Sequence, residues 1–236
     1  QLDLPLFHSE FETPHRIISD LSYTLPTKTS LSVIYTGQSG IHFTYVSPSD
    51  LNGDNQTLND PIYIPTGPSD PKYPSFTTSK SVTTAPADQA TAFNNFISAN
   101  SCLIIQRGYI MKSNTCSSPW TNEFDVSIEQ GIQPLLRSLS LSPGIVHGQD
   151  LSIRLDIINF GNLLNKNWGR QISTSNFSPV QLYSQSGIVQ PGTTTTAGAN
   201  LTNGVPLATF NPAFNPFTYT NVYSNYGMQI SLRYSF

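Results

Sequence analysis

The sequence predicts an all-β protein whose long antiparallel strands form a segment of a transmembrane β-barrel. About five stretches alternate apolar and polar residues with a period of two, which is typical of a strand with one apolar and one polar side. Charged residues make up only 11% of the 236 residues, against roughly 25% in soluble domains. No stretch reaches the roughly 18 apolar residues of a transmembrane helix, whereas the half-apolar strands of a barrel fit this composition.

The first strand is predicted over about residues 15–25 and the second over about residues 30–46, with a short turn at 25–29. The first strand places on one side Ile17, Leu21, Tyr23 and Leu25. The second places on one side Leu31, Val33, Tyr35, Ile41, Phe43 and Tyr45. A strand of about 17 residues is far longer than the strands of globular sheets, whereas tilted barrel strands that project beyond the membrane reach this length.

Three further strands are predicted over about residues 121–131, 150–159 and 226–236. In the last of them, one side carries Met228, Ile230, Leu232, Tyr234 and Phe236. The alternation continues to the C-terminal carboxylate and ends on an aromatic residue. In a barrel the apolar side faces lipid, the polar side faces the lumen, and aromatic residues lie at the membrane interface.

Two long segments connect these strands, over about residues 47–119 and 160–225, and both are rich in Pro, Ser, Thr and Asn. They are predicted to be irregular, apart from a short helix at 88–99 with Asp88 as its N-cap. The connections therefore alternate short, long, moderate and long. This order is expected of a barrel with short periplasmic turns and long extracellular loops.

Aromatic residues lie near both ends of the predicted strands. Tyr45 and Trp120 flank the first long segment, and the opposite rim is marked by Tyr23, Tyr234 and Phe236. Aromatic side chains concentrate at membrane–water interfaces, so these positions fit a membrane-spanning sheet. Trp168 is interpreted as a further rim aromatic residue, with a sugar-binding platform as the alternative.

Charged residues of both signs lie on the polar sides of the strands: Asp20, Asp125, Glu129, Arg154, Asp156 and Arg233. Such residues would be costly in a dry core, whereas in a water-filled lumen they can form cross-strand pairs. We expect Arg154 to pair with Asp125 or Glu129, and Asp156 to pair with Arg233. The alternative is the solvated face of a soluble β-sandwich.

Several blocks of the sequence together resemble one family of membrane proteins. They include Pro14-His-Arg-Ile17, Tyr35-Thr-Gly-Gln-Ser-Gly40, Asn59-Asp-Pro-Ile-Tyr-Ile-Pro65, Cys116-Ser-Ser-Pro-Trp120, Asn159-Phe-Gly-Asn-Leu-Leu-Asn165 with Trp168-Gly169, and Arg233-Tyr-Ser-Phe236. The set resembles the C-terminal barrel region of TonB-dependent outer-membrane receptors. The nearest group is the OmpA-related, Oar-like receptors, which carry an N-terminal carboxypeptidase-regulatory-like domain.

The resemblance implies a 22-stranded barrel in the bacterial outer membrane, closed by an N-terminal plug. Such a receptor binds a substrate and imports it with energy relayed by the TonB complex, which it contacts through its N-terminal part. The terminal aromatic pattern resembles the signal read by the barrel-assembly machinery. The chain starts at Gln1 without an initiator Met or a signal peptide. It is therefore expected to be a fragment or a processed product that holds about the last five strands and does not transport alone.

The two cysteines, Cys102 and Cys116, lie in one Ser/Asn-rich region. An even pair in an exported protein favours a disulfide. Here the disulfide would close a loop of about 15 residues and stabilise the fold by roughly 3 kcal/mol. The alternative is two free buried thiols.

Four oxygen-bearing residues have the alternating spacing of a calcium loop: Asp50, Asn52, Asp54 and Asp60. Two positions depart from that pattern, since the sixth is Asn55 rather than Gly and the twelfth is Pro61 rather than Glu. The sequence therefore offers calcium as its candidate cofactor, in an extracellular loop. A plain Asx-rich turn is the alternative.

Other chemistry has little support in the sequence. No nucleophile, zinc-protease or paired-carboxylate signature is present, so the chain is not expected to be an enzyme. The histidines, His8, His15, His42 and His147, have no ligand spacing, and zinc is not expected. With 11 Lys+Arg residues and a net charge of -3, no basic patch for nucleic acid is present. The alternatives left open are a secreted or surface all-β adhesion or carbohydrate-binding module, and a passive porin.

Overall fold

The computed structural model describes residues 6–51, 54–132, 150–174, 177–182, 207–219 and 224–235. The chain divides into two compact units. The sheet unit comprises Thr13–Gly40, Pro119–Ser173 and Tyr219–Phe236, and the insert unit comprises Gln1–Glu12, Ile41–Ser118 and Thr174–Thr218. Within the described residues, no helix has the length and apolar character needed to cross a membrane.

The strands follow one another along the chain as β1 (Arg16–Thr24), β2 (Thr29–Gln38), β3 (His42–Phe43), β4 (Tyr63–Ile64), β5 (Ser75–Phe76), β6 (Tyr109–Ile110), β7 (Cys116–Ser117), β8 (Thr121–Gly131), β9 (Asp150–Ile158), β10 (Ile172–Thr174), β11 (Val180–Leu182), β12 (Leu207–Phe210), β13 (Phe217–Tyr219) and β14 (Gly227–Ser235). The helices are α1 (Pro86–Ala99), α2 (Ser101–Ile104) and α3 (Phe160–Leu164).

Five long strands form the sheet unit in the order β1-β2-β8-β9-β14, and neighbouring strands are antiparallel. Each strand has between 9 and 11 residues. The predicted antiparallel all-β class is therefore confirmed. Within the described residues the sheet is open, since it ends at β1 on one side and at β14 on the other.

The pairing register places the alternating apolar residues of all five strands on one face. Leu21 lies opposite Val33, and Val33 lies opposite Val126. Val126 in turn lies opposite Ile157, which lies opposite Met228. Because directly opposed residues of an antiparallel pair project to the same side, the apolar face is continuous from β1 to β14.

Four of the five predicted strands occur where the alternation placed them. The segment predicted at 121–131 coincides with β8, and those predicted at 15–25, 150–159 and 226–236 contain β1, β9 and β14. The short turn between β1 and β2 is also present. The backbone N–H of Leu25 donates to the carbonyl of Thr29 across it, at 2.8 Å.

The prediction of one strand over residues 30–46 is wrong, because β2 ends at Gln38, opposite Thr121 of β8. Beyond Gln38 the chain enters the insert unit. Phe43 and Tyr45, predicted to lie on the apolar side of this strand, are instead only 4% and 1% exposed in the core of that unit. The alternation misled the prediction because a buried segment of the insert unit continues the period of β2 in the same phase.

The segments predicted to be irregular contribute to a folded insert unit with a core of its own. The buried core residues are Phe43, Tyr45, Ile62, Ile64, Phe76, Phe93, Ile97, Leu103, Met111, Cys116, Val180, Ala208 and Phe210. Short strands pair around this core: β3 with β7, β4 with β6, and β12 with both β11 and β5. The sequence did not predict this core, because these segments are rich in Ser, Thr and Pro and their apolar residues follow no regular period.

Phe93 on α1 is at the centre of the aromatic part of the core and is 1% exposed. Its ring centroid lies 5.3 Å from that of Phe210, 5.6 Å from that of Phe76 and 6.1 Å from that of Tyr73. Tilted and edge-to-face ring pairs of this kind stabilise by about 0.5–1.5 kcal/mol beyond their area burial. The ring of Phe93 therefore joins α1 to β12 and to the segment that carries Tyr73 and Phe76.

Helix α1 begins two residues earlier than predicted, so the assignment of Asp88 as its N-cap is wrong. The helix starts at Pro86, and Ala85 is the N-cap residue. Proline is favoured at the first helical position because its fixed φ suits the helix and its missing N–H would have no intrahelical partner there. Asp88 consequently lies in the first turn, where a negative charge complements the helix dipole.

Gln89 makes polar contacts inside this core, where its side chain is fully buried. Its Nε2 donates to the carbonyls of Thr77 at 2.8 Å and Thr84 at 2.7 Å. Its Oε1 accepts from the backbone N–H of Phe210 at 2.9 Å. Because both ends of the amide are bonded, Gln89 avoids the penalty of an unsatisfied buried polar group and links α1 to β12.

The structure joins Cys102 to Cys116 in a disulfide, with 5.2 Å between the Cα atoms. Cys102 lies in α2 and Cys116 in β7, and Cys116 is 1% exposed. The disulfide therefore connects a helix to a strand within the insert unit.

Replacing Phe93 with Ala is expected to lower the free energy of unfolding of the insert unit by about 3–5 kcal/mol, because loss of a buried ring leaves a cavity. Ile105→Ala is the matched control, since Ile105 is 79% exposed and a surface change alters stability by about 0.5 kcal/mol or less. Hydrogen exchange of the α1 amides measures both effects. Equal exchange in the two variants would contradict the packed core.

Removing the disulfide with Cys102→Ala and Cys116→Ala together is expected to destabilise the insert unit by about 3 kcal/mol, because the closed loop restricts the unfolded chain. Denaturant unfolding with and without a thiol reductant tests this effect. The reductant should destabilise the native chain and leave the double variant unchanged. A native chain insensitive to the reductant, although its cysteines become reduced, would contradict the expectation.

Candidate functional site

The apolar face of the five-stranded sheet is exposed at both outer strands. On β1, Leu21 is 70% exposed and Tyr23 is 64% exposed. On β14, Ile230 and Leu232 are 73% and 69% exposed. Single exposed apolar residues are normal on protein surfaces, whereas contiguous apolar patches mark interaction or membrane sites. This face is therefore the first candidate functional surface.

The predicted C-terminal assembly signal belongs to this face. Four of its five residues alternate along β14 and share the apolar side: Met228, Ile230, Leu232 and Tyr234. The fifth, Phe236, lies outside the described residues. Tyr234 at the end of β14 and Tyr23 at the end of β1 lie at the same end of the sheet, since these two strands run in the same direction.

Aromatic side chains also cluster at the opposite end of the sheet. The rings of Tyr35 and Phe124 lie 4.8 Å apart. The hydroxyl of Tyr35 donates to Asn122 Oδ1 at 2.8 Å, and Nε1 of Trp120 donates to the same oxygen at 2.9 Å. Each end of the apolar face therefore carries aromatic rings, and at this end the polar tips are hydrogen-bonded.

The opposite face of the sheet is polar and carries a hydrogen-bonded network. Asp156 accepts from the hydroxyl of Ser127 and from Nε of Arg154, the latter at 2.8 Å. Glu129 accepts from the hydroxyl of Ser152 at 2.7 Å. These contacts connect β8 with β9, so part of the charge on this face is compensated within the sheet.

The ion pairs predicted for this face are wrong in detail. Glu129 lies directly opposite Arg154, but the guanidinium of Arg154 forms its ion pair with Asp156, two residues along the same strand. Arg233 lies opposite Ser152 rather than Asp156. The alternation assigned each charge to the correct face, but it contains no information on the register between strands that are distant in sequence.

The remaining predicted lumen charges, Asp20 and Asp125, also lie on the polar face. Asp20 Oδ1 accepts from the hydroxyl of Ser22 at 3.2 Å. Asp125 Oδ1 accepts from the backbone N–H of Asn159 at 2.8 Å. Asn159 has a φ of 53°, so Asp125 stabilises the residue that links the end of β9 to the start of α3.

Residues 159–169, which contain the Asn159–Asn165 block and Trp168-Gly169, form a compact cap after β9. Asn159 is 1% exposed, and its Nδ2 donates to the carbonyl of Gly169 at 2.8 Å. Asn162 Nδ2 donates to the carbonyl of Trp168 at 3.0 Å. Gly169 has a φ of 61°, and a Cβ at this position would collide with the side chain of Asn159. Close packing therefore requires both the asparagines and the glycine.

A cleft of about 450 Å³ lies in the sheet unit beside this cap. Its lining residues include Trp120, Phe124, Trp168, Arg170 and Tyr219. The guanidinium of Arg170 lies over the Tyr219 ring, 4.4 Å from its centroid, and Trp168 is 55% exposed. Both interpretations of Trp168, as a rim aromatic residue and as part of a sugar platform, are compatible with this position.

The carboxylates of the predicted calcium loop make hydrogen bonds within their own segment. Asp60 Oδ2 accepts from the backbone N–H of Leu51 at 2.6 Å, and Asp50 Oδ2 accepts from that of Asn55 at 2.9 Å. Asp54 accepts from Asn59 Nδ2 at 2.9 Å. An Asx turn is also present, since the backbone N–H of Gln56 donates to Asp54 Oδ1 at 2.8 Å. The described carboxylates do not converge as a metal-binding group, and Asn52 lies outside the described residues, so calcium stays a prediction.

Asp70 organises a turn in the insert unit through several hydrogen bonds. It accepts from the backbone N–H groups of Thr66 at 2.8 Å and Lys72 at 2.9 Å, and from the hydroxyl of Tyr63 at 2.9 Å. These bonds favour the ionised carboxylate and lower the pKa of Asp70 to about 2, with the backbone donors as the largest cause. Desolvation, followed by the bond to Asp70, raises the pKa of the Tyr63 phenol.

The structure brings together two histidines that have no metal-ligand spacing in the sequence. The rings of His8 and His42 are stacked, with centroids 4.4 Å apart and planes at 17°. Glu12 Oε2 accepts from His8 Nδ1 at 2.9 Å, and this bond lowers the pKa of Glu12. One donor atom from each of the three residues lies within 4.8 Å of the others. The four-residue spacing of His8 and Glu12 was visible in the sequence, but nothing there related them to His42.

His42 also lines an open cleft of about 630 Å³ in the insert unit. The walls of the cleft are largely apolar and include Phe11, Val46, Leu58 and Phe177. The cleft therefore places an imidazole beside apolar walls, which is a common composition for small-molecule sites.

No family model, curated protein or solved structure matches this chain.

Asp70→Asn is expected to destabilise the insert unit at neutral pH, because the folded state then loses a charge stabilised by its hydrogen bonds. Since the folded pKa of Asp70 lies below its unfolded value of about 3.9, its contribution is present above pH 4 and is lost as the pH falls towards 2. Thermal unfolding from pH 7 to pH 2 measures this contribution. The melting temperatures of the native chain and the variant should converge at the acid end.

Glu10→Gln is the control for this measurement, because it also removes one carboxylate from the insert unit. Glu10 is exposed and makes no hydrogen bond through its side chain within the described residues. Its melting temperature should follow that of the native chain at every pH. If the melting temperatures of Asp70→Asn and the native chain differ by a constant amount from pH 7 to pH 2, the charge of Asp70 does not stabilise the fold and the expectation is contradicted.

Proposed function

We propose that this chain is the C-terminal part of the barrel wall of a TonB-dependent outer-membrane receptor, which binds a substrate and imports it across the bacterial outer membrane. The observation that carries the proposal is the continuous apolar face across five antiparallel strands in up-and-down order. In the proposed barrel this face contacts lipid and the polar face lines the lumen.

The lengths of the strands support a membrane location. Each of the five strands has 9–11 residues, whereas strands in globular proteins have about 5–6. A tilted strand needs about 9–11 residues to cross the hydrocarbon core of a bilayer. The observed lengths therefore match the span that a barrel wall requires.

The two faces of the sheet support the same location. Four carboxylates of the polar face accept hydrogen bonds from hydroxyl, backbone amide or guanidinium groups: Asp20, Asp125, Glu129 and Asp156. A hydrated lumen would solvate the acceptor sites that remain open. Tyr23 and Tyr234 lie at one end of the sheet, and Tyr35 and Phe124 lie at the other. Aromatic residues at both ends of an apolar band are typical of the two interfaces of a membrane barrel.

The order of the strands assigns a side of the membrane to each connection. In an up-and-down sheet, the connections from β2 to β8 and from β9 to β14 leave at the end opposite to the β1–β2 turn. In the proposed orientation this turn is periplasmic and the two long connections are extracellular, where they would meet the substrate or a surface partner. The link over residues 133–149, which lies outside the described residues, is then periplasmic.

The assignment as a receptor rather than a passive porin depends on the family resemblance. Under that assignment, the partners are outer-membrane lipids, the barrel-assembly machinery and the TonB complex, and an N-terminal part of the receptor contacts TonB. The class of substrate is not specified, and siderophores, glycans, peptides and cobalamin all fit the proposal.

A soluble β-module instead needs a second sheet against the apolar face. Leu21 and Ile230 are exposed on this face, which argues against such a second sheet.

Fractionation of the native gene product, detected with an antibody to this segment, tests the proposal. A heat-modifiable band in the outer-membrane fraction that requires detergent for extraction is the expected result. Co-purification of TonB would then separate a receptor from a passive porin. A protein that is soluble without detergent would contradict the proposal and favour the secreted β-module.

Leu21→Arg is expected to impair assembly in lipid vesicles, because a cationic side chain on the lipid face of a barrel costs about 2–4 kcal/mol near the bilayer midplane. Ser22→Arg is the matched control, since Ser22 neighbours Leu21 on the polar face of β1. Protease protection and heat-modifiability after insertion measure assembly. Because both residues are exposed, a soluble protein would tolerate both changes equally, and that result would contradict the proposal.

A further inference from the structure

We infer that the insert unit contains a transition-metal site in which His8, Glu12 and His42 bind a zinc ion. One donor atom from each residue lies within 4.8 Å of the other two. Two imidazole nitrogens and one carboxylate oxygen form a ligand set that zinc uses in proteins, with water or a further ligand in the fourth position.

The environment of His42 indicates which nitrogen faces the ion. Nδ1 of His42 contacts the hydroxyl of Ser117 at 3.0 Å. Nε2 is enclosed and has no hydrogen-bond partner among the described residues. When Nδ1–H donates to Ser117, the lone pair of the ring is on Nε2, and metal-bound histidines are commonly oriented by such a bond at the other nitrogen. A zinc ion at Nε2 would satisfy the enclosed atom.

The other two ligands come from the segment that precedes β1. Asn114 Nδ2 donates to the carbonyl of His8 at 2.6 Å, which holds this segment beside the β3–β7 pair that contains His42. Donor atoms around tetrahedral zinc lie roughly 3.3 Å apart, as follows from Zn–N distances of about 2.0 Å. The rings are stacked, so binding turns the exposed ring of His8 towards Nε2 of His42.

The composition of the site favours zinc over the calcium considered for residues 50–60. Calcium prefers six to eight oxygen ligands, whereas this site offers two nitrogens and one carboxylate. Imidazole suits zinc, copper and nickel. A bound ion would also join the segment around His8 to β3 and leave a coordination position near the apolar cleft lined by His42.

Metal titration of the full 236-residue chain in detergent tests this inference. After bound metal has been removed, the chain competes with a chromophoric chelator for added zinc, and cobalt serves as a spectroscopic probe of tetrahedral coordination. The expected result is one zinc per chain and intense cobalt absorption. Zinc should also raise the melting temperature of the native chain.

Four variants assign the ligands. Loss of a residue that only hydrogen-bonds to a metal ligand weakens metal binding about 10–100-fold. Loss of a ligand itself should have a larger effect, so His42→Ala and Glu12→Gln should each weaken zinc binding by more than about 100-fold. Ser117→Ala should weaken zinc binding by about 10–100-fold, because Ser117 contacts only the other ring nitrogen of His42. His15→Ala is the matched control, since His15 belongs to the sheet unit, and it should bind zinc like the native chain.

Two results would overturn the inference. The first is a native chain that binds no zinc or binds it no more tightly than His42→Ala. The second is a Glu12→Gln variant with native affinity and native cobalt spectra. Because Glu12 is at the surface of the insert unit, this variant is expected to fold even where His42→Ala does not. Circular dichroism confirms the fold of each variant before titration.

Discussion

Ten residues of β2 pair with ten residues of β8, from Thr29 opposite Gln130 to Gln38 opposite Thr121, and the rest of the structure depends on this ladder. It joins strands that are separated by about eighty residues of chain and thereby sets the register of the central sheet. A slip of one residue would exchange the two faces of one strand. The continuity of the apolar face from β1 to β14 requires this register.

The same ladder holds together the two ends of the segment 41–118. The entropy of closing a long loop rises only slowly with its length, so the sheet tolerates a large insertion once its ends are fixed. The insertion is stabilised by its own interactions. The ring of Phe93 packs among three aromatic rings, Gln89 bonds to three backbone groups, and the disulfide of Cys116 links α2 to β7.

Sequence reasoning was accurate where one local pattern decides the structure. The bounds of β8 follow from the alternation between Thr121 and Gly131, because each side chain of a strand points to one of two sides. The same reasoning failed at Tyr45, where a buried segment of another unit continued the period of β2. It also failed for the ion-pair partner of Arg154, because a cross-strand pair depends on the register between strands. It did not relate His8 to His42, because only the folding of the insert unit brings these two residues together.

The sequence by itself determined the antiparallel all-β class, the positions of four long strands and the face on which each charge lies, because these features depend on a period of two along a single segment. It also favoured the disulfide between Cys102 and Cys116. Only the tertiary structure decided the end of β2, the core around Phe93 and the meeting of Glu12 with His42. These features depend on contacts between segments that are distant in the chain, and no local pattern records such contacts.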